Sequence, residues 1–158
     1  MLDGLTHEQQ MLQESTRRFV DEEMLPHEDF IDREGLVPIE LGRQIESRAK
    51  EMGLFAANLP EHVGGGGLDY ASMAVIEREF GRTSHALHAW VARPTELLLA
   101  TQGAQKDQYL APCVTGAKRE LFALSEPEAG SDIMSMKSNA KLDGDDWILN
   151  GSKHFISG

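Results

Sequence analysis

At Leu121 the hydrophobic pattern of this chain changes period, and that change restricts the possible folds more than any other feature of the sequence. Before it, apolar residues recur at helical spacing; after it, short apolar runs are bounded by turn residues. The pattern predicts an α+β chain. An all-α helical domain over 1–120 is followed by the first strands of an antiparallel β domain over 121–158.

Thr6 and Gln9 form a capping-box pattern, and Leu12, Phe19, Val20 and Met24 then share one helical face, so a first helix is predicted over 6–24, ended by Pro26. The segment 28–37 has acids and Gly35 but little periodicity and reads as a connector. Pro38 suits the first position of a second helix with Leu41, Ile45, Ala49 and Met52 buried and Gly53 as its cap. Asp69 caps a third helix over 70–82, with Tyr70, Met73, Ala74 and Phe80 inward. Residues 85–101 are apolar on most sides and predict a central helix kinked or divided at Pro94. A last helix over 104–115 places Tyr109, Leu110 and Val114 inward, with Pro112 bending its end.

Two patterns invite a ligand reading and do not sustain it. The run Gly64-Gly65-Gly66-Gly67 is followed by no Lys-Ser/Thr and preceded by a poor strand, so it reads as a flexible connector, not a phosphate loop. His85 and His88 lie three apart on one helical face, but no third metal ligand stands at suitable spacing. Composition narrows the function classes. A net charge of −11 with no basic cluster excludes a nucleic-acid interface, and no apolar run reaches the length of a membrane span. The polar start lacks a signal peptide, and the single cysteine, Cys113, suits a reducing compartment. A chain that is not secreted and has no membrane insertion is therefore expected.

Within the second region, Leu121-Phe122-Ala123-Leu124 suits a buried strand that stops at Ser125, and the following residues to Asp132 are turn chemistry. Hydroxyls, free N–H groups and Gly130 make this loop able to receive an anion, the alternative reading being a surface turn with no ligand. Asp143-Gly144-Asp145-Asp146 lies between residues 137–142 and 147–150 and predicts a hairpin; Asn150-Gly151 predicts a second tight turn before 154–157. So small a sheet with an open edge makes a poor finished domain. The expectation is a truncated chain, or one completed by something else.

Ser125-Glu126-Pro127-Glu128-Ala129-Gly130-Ser131-Asp132 resembles the flavin signature of the acyl-CoA dehydrogenase family, usually written with threonine first. Asn150-Gly151-Ser152-Lys153-His154-Phe155-Ile156-Ser157 resembles its second flavin-binding stretch. Both occur in order, separated by a hairpin of suitable length, and the likeness covers essentially the whole chain. The resemblance implies an amino-terminal helical domain, a middle β domain and a carboxy-terminal helical bundle, the last missing here. It implies FAD as cofactor and desaturation of an acyl-CoA substrate to a trans-2-enoyl-CoA, as in fatty acid β-oxidation. Electrons would leave through an electron-transferring flavoprotein. It also implies a homo-oligomer when intact, in the bacterial cytoplasm or the mitochondrial matrix.

By the same resemblance, Phe122, Leu124 and Ser125 lie along the flavin, with the Ser125 hydroxyl on the pyrimidine edge. Gly130 and Ser131 meet the pyrophosphate or the neighbouring CoA portion, Phe155 packs on the flavin, and Ser157 donates toward N5. Ser125 and Ser157 replace the usual threonines and Phe155 the usual tryptophan, which keeps hydroxyls and an aromatic face but leaves the electron acceptor open. Residues 90–99 border the expected acyl pocket. Arg93 there has two readings, a contact for a polar acyl group or a surface cation, and the second is the ordinary behaviour of arginine. No catalytic base is assigned: family bases lie in the carboxy-terminal part, beyond Gly158, and Glu77, Glu79, Glu96, Glu126 and Glu128 read as surface or turn acids. Two alternatives stand beside this reading: a non-catalytic truncated paralogue acting as a binding or assembly subunit, and a flavin oxidase with the same fold and a different electron acceptor.

Overall fold

A computed structural model describes residues 4–91 and 93–156. The chain divides into two compact units, Met1–Arg119 and Glu120–Gly158.

The first unit is helical. The capping box forms as read: the Thr6 hydroxyl accepts from the Gln9 N–H at 3.2 Å, and the Gln9 side chain accepts from the Thr6 N–H at 3.1 Å. Helix α1 (His7–Phe19) continues through a wider π turn, Val20–Met24, into a 3₁₀ turn, Leu25–His27, that contains Pro26. The supposed connector at 28–37 is largely a helix, α2 (Glu28–Glu34), closed by Gly35 at φ 71°. It buries only Ile31, so no periodic stripe announces it. Helix α3 (Ile39–Glu51) has Pro38 as its N-cap and Gly53 just past its end at φ 69°, where a left-handed residue is needed.

The glycine run is not a loose connector. After a short 3₁₀ turn, Glu61–Val63, it folds back on the chain before it: Gly66 N–H donates to Ala56 O at 3.2 Å, Gly67 N–H to Leu59 O at 2.8 Å and Leu68 N–H to Ala57 O at 2.9 Å. Gly65 and Gly66 let backbone meet backbone, since a Cβ there would stand 2.1 Å from the Leu59 carbonyl oxygen and 3.0 Å from the Ala57 Cα, while Gly64 and Gly67 hold positive φ of 94° and 64°. Helix α4 (Tyr70–Phe80) is capped by Asp69, whose carboxylate accepts from the Ser72 N–H at 2.7 Å. Met73 and Phe80 point inward as expected; Tyr70 and Ala74 do not, and Val75, Ile76 and Glu79 are buried in addition.

The expected central helix over 85–101 does not form. A single turn, α5 (His85–His88), is followed by irregular chain and a 3₁₀ turn, Glu96–Ala100, started by the Thr95 side chain. Leu87 and Val91 are buried, but Leu97 is 68% exposed. Pro94 cannot donate to a helix, and Thr95 offers a competing local bond. Near the end of the unit, a π turn, Lys106–Leu110, runs into α6 (Ala111–Val114). The irregularity thus precedes Pro112 instead of following it. Proline leaves the Gln108 carbonyl without its helical donor, and the Lys118 ammonium supplies one at 3.0 Å. Leu110 and Val114 are buried as read, whereas Tyr109 is exposed.

One core holds α1, α2, α3 and α4 together, built on Phe19, Met24, Ile45, Ile76 and Phe80 with Leu87 and Val91. Phe19 and Phe80 meet edge to face with centroids 6.1 Å apart. Glu79 is 1% exposed, contrary to the surface reading. Arg17 grips it with two bonds of 2.9 and 3.0 Å, and Gln13 adds a third at 2.9 Å. A smaller cluster packs Ala56, Leu59, Leu110 and Val114. Across α3, Gly42 lets the Trp90 ring lie on the helix backbone, and the Arg119 guanidinium stacks on that ring at 4.2 Å. Among the described residues no helix is long and apolar enough to cross a membrane.

The second unit is small. Strands β1 (Asn139–Asp143) and β2 (Asp146–Asn150) pair antiparallel with Asp143 opposite Asp146. This is the predicted hairpin, and Gly144 supplies the positive φ (62°) its two-residue turn requires. The expected buried strand at 121–124 is different: Leu121 and Phe122 are 60% and 69% exposed, and this segment enters no strand pair among the described residues. Among the described residues of the unit there is one hairpin and no facing layer, so nothing there buries an apolar run. Residues 154–156 likewise form no strand.

Candidate functional site

Three segments of the second unit meet at one carboxylate. Glu126 and Ala129 exchange both backbone bonds, at 2.8 and 3.2 Å, so Pro127-Glu128 forms a tight two-residue loop. That closure turns the Glu126 side chain inward, and the residue is 7% exposed. Its carboxylate accepts from the Lys137 N–H at 2.7 Å, the Ser138 N–H at 3.1 Å and the Lys153 ammonium at 2.8 Å. The Lys153 ammonium also donates to the Leu124 carbonyl at 3.0 Å, and the His154 N–H donates to the Ser125 carbonyl at 3.0 Å. The chain around 124–126 is thereby held directly against 153–154.

The Lys153 ammonium, with the Ser138 and Lys137 groups behind it, holds the Glu126 carboxyl down at about 2. An unfolded glutamate titrates near 4.5, so the folded form is favoured by ionisation. The contribution is complete above that value and is lost as the pH falls through about 2. Amide shifts of Lys137 and Ser138 followed by NMR are expected to stay native at pH 5 and to change in a transition centred near pH 2. A transition centred near the ordinary glutamate value would show that Lys153 does not hold this carboxylate.

Of the described sequence-derived site residues, Phe122, Leu124, Ser125, Gly130, Ser131 and Phe155 belong to the second unit. Ser125 lies inside this junction, between Leu124 and Glu126. Phe122 and Phe155 present exposed rings; Phe155 is 87% exposed, takes the left-handed φ of 57° that is rare outside glycine, and rests on the His154 ring at 4.3 Å. Gly130 and Ser131 are exposed, and a Cβ built on Gly130 would meet nothing within 4 Å. Asp132 accepts from the Ser135 hydroxyl. Ser157 lies outside the described residues. Arg93 belongs to the first unit, where it is exposed and pairs with Glu77 at 3.7 Å; Glu77 also meets His88 at 3.2 Å. A cleft of about 770 Å³ in the first unit is lined by Asn58, Leu68, Met73, Tyr70, Glu96 and Leu99, so only part of the 90–99 stretch borders it. The Tyr70 hydroxyl donates to Glu96 there at 3.1 Å. Among the described residues no group of three or more potential ligands is placed to hold a metal.

Sequence reasoning missed the Glu126–Lys153 pair. From the sequence Glu126 is a turn acid; in the structure it is buried and paired with Lys153. The available signal is an acid in the first stretch, Glu126, and a base in the second, Lys153, but nothing local to either one reveals the pairing.

The sequence matches the family models for the acyl-CoA dehydrogenase N-terminal domain over residues 6–117 and the acyl-CoA dehydrogenase middle domain over 121–158. It is 32% identical to the 3-(aryl)acrylate reductase of Clostridium sporogenes, over 97% of this chain and 41% of that protein. It is 34% identical to the mitochondrial short-chain specific acyl-CoA dehydrogenase of Mus musculus, over 94% of this chain and 36% of that protein. The chain thus spans roughly two fifths of the curated relatives it matches. A crystal structure of an acyl-CoA dehydrogenase from Bacillus anthracis complexed with FAD superposes with a TM-score of 0.78 at 30% identity, covering 98% of this chain and 27% of that one.

Proposed function

The chain belongs to the acyl-CoA dehydrogenase family, and we propose that it is the amino-terminal portion of an FAD-dependent enzyme that desaturates an acyl-CoA thioester to the trans-2-enoyl-CoA. The observation that carries this reading is the junction itself: the two signature stretches, distant in sequence, are bonded to one another through Lys153 and His154. The residues there suit the cofactor. Exposed Phe122 and Phe155 rings offer apolar faces to a flat heteroaromatic ring. The bare backbone at Gly130 and the Ser131 hydroxyl suit a pyrophosphate or the CoA portion. When bound, FAD would supply the hydride acceptor of the reaction.

In this reading Ser125 donates its hydroxyl to the pyrimidine edge, where negative charge builds on reduction, and the chain at 124–126 excludes water from that edge. Leu124 and Phe155 orient the ring, and Ser157 donates toward N5. The proton acceptor is a glutamate from the carboxy-terminal part of the intact enzyme, and none of the acids here takes that role. The acyl chain borders residues 90–99, with Arg93 a candidate contact for a polar acyl end. Electron-transferring flavoprotein as oxidant and a homo-oligomeric state follow the same reading. Stopped-flow mixing of the full-length gene product with acyl-CoA thioesters of graded length tests it, with loss of flavin absorbance as the signal. Bleaching by at least one thioester is expected. Ser125→Ala is expected to weaken FAD binding by about fivefold, the worth of one hydrogen bond of about 1 kcal/mol. A flavin-loaded protein that no acyl-CoA bleaches would contradict the proposed reaction.

A further inference from the structure

We propose that Lys153 is a positioning residue that sets the orientation of the Ser125 hydroxyl; the inference rests on the flavin reading above and goes beyond it by assigning a residue that touches no cofactor. An ammonium carries three N–H donors, and all three have acceptors here: the Leu124 carbonyl at 3.0 Å, Glu126 Oε1 at 2.8 Å and Met136 Sδ at 3.5 Å. The first two belong to the residues immediately before and after Ser125. The same nitrogen therefore pins both flanks of that serine, and the next residue along from Lys153 pins the serine's own carbonyl through the His154 N–H at 3.0 Å. The backbone at Ser125 has little freedom left. Serine lacks the β-branch that would limit its χ1, so in this chain the direction of the hydroxyl depends on the frame that carries it.

The frame also reaches the other stretch. Phe155 holds a left-handed φ of 57° two residues after Lys153, a conformation that a non-glycine residue keeps only when the chain around it is fixed. Lys153 and His154 supply that fixation from the amino-terminal side. The side chain of Glu126 is 5% exposed and that of Lys153 28%, so this ion pair is sheltered, unlike the exposed Lys137–Glu128 pair beside it. Glu126 in turn draws the 137–138 backbone to the same point. An arginine at 153 would present a planar fork and cannot direct donors to three acceptors arranged around one nitrogen.

The test uses the full-length gene product as wild type, Lys153→Met, Lys153→Arg, Ser125→Ala and the double variant Ser125→Ala/Lys153→Met. FAD affinity, the position of the visible flavin band and amide hydrogen exchange are measured on each. Lys153→Met is expected to weaken FAD about fivefold, as Ser125→Ala does, and to move the band in the same direction, and Lys153→Arg is expected not to restore it. The double variant is expected to match Lys153→Met within twofold, because the serine is already misdirected. An affinity for Lys153→Met within twofold of wild type, or a double variant whose loss is the product of the two single losses, would overturn the proposal. Should the wild type take up no FAD, the flavin reading fails on its own, and exchange still decides the clamp. The His154 amide must then exchange at least tenfold faster in Lys153→Met while the β1–β2 amides keep their protection; unchanged exchange at His154 would refute it.

Discussion

Replacing Phe80 by alanine is expected to cost about 3–5 kcal/mol, the range for deleting a fully buried aromatic ring. Phe80 is 2% exposed at the inner face of α4, edge-on to Phe19 of α1 and 5.7 Å from the His88 ring of α5. Three helices therefore share its removal. The hole left behind cannot close easily. Its walls include Phe19, held in α1, and Glu79, the neighbour of Phe80, is locked by Arg17 and Gln13 from α1. Urea denaturation followed by far-ultraviolet circular dichroism should show the midpoint falling with little change in slope. A loss below about 1.5 kcal/mol would mean that the α1–α4 contact is not the centre of the core.

Gly65→Ala is expected to be nearly as damaging, at about 3 kcal/mol, for a different reason. An added Cβ would stand 2.1 Å from the Leu59 carbonyl oxygen and 2.5 Å from its carbon, so backbone meets backbone and no side chain can swing aside. Relief requires the glycine run to lift off residues 56–60, which breaks the bonds from Gly66 to Ala56, from Gly67 to Leu59 and from Leu68 to Ala57. Asp69, which caps α4, follows immediately. The same urea titration should therefore show lost stability together with weaker amide protection at 66–68 and the first turn of α4. If Gly65→Ala is neutral, this strand-like return is not tightly apposed in solution.

What the sequence discloses about this chain depends on how local the cause is. Thr6 with Gln9, Asp69 before α4, Gly53 after α3 and the Asp143-Gly144-Asp145-Asp146 turn each act within a few residues of themselves, and each was legible. The helix Glu28–Glu34 was not, because one buried residue, Ile31, makes no period. Residues 85–101 mislead in the opposite sense: their apolarity suggests a buried helix, but Pro94 and Thr95 break the backbone pattern and Leu97 and Leu99 are exposed. Glycines 64–67 read as freedom in the sequence, whereas Gly65 and Gly66 mark close backbone contact. Buried charge was the least accessible feature. Glu79 finds Arg17 across 62 residues and Glu126 finds Lys153 across 27, and no spacing rule spans such distances. In the candidate site, the two motif stretches were visible, while the ion pair that joins them was not.

That junction supports the whole functional reading, and its most direct measurement is the flavin content of the protein. The purified full-length gene product, titrated with FAD and followed by flavin fluorescence and absorbance, is expected to bind one equivalent per chain saturably. Ser125→Ala should bind about fivefold more weakly. A well-folded wild type that takes up no FAD at any practical concentration would contradict the account.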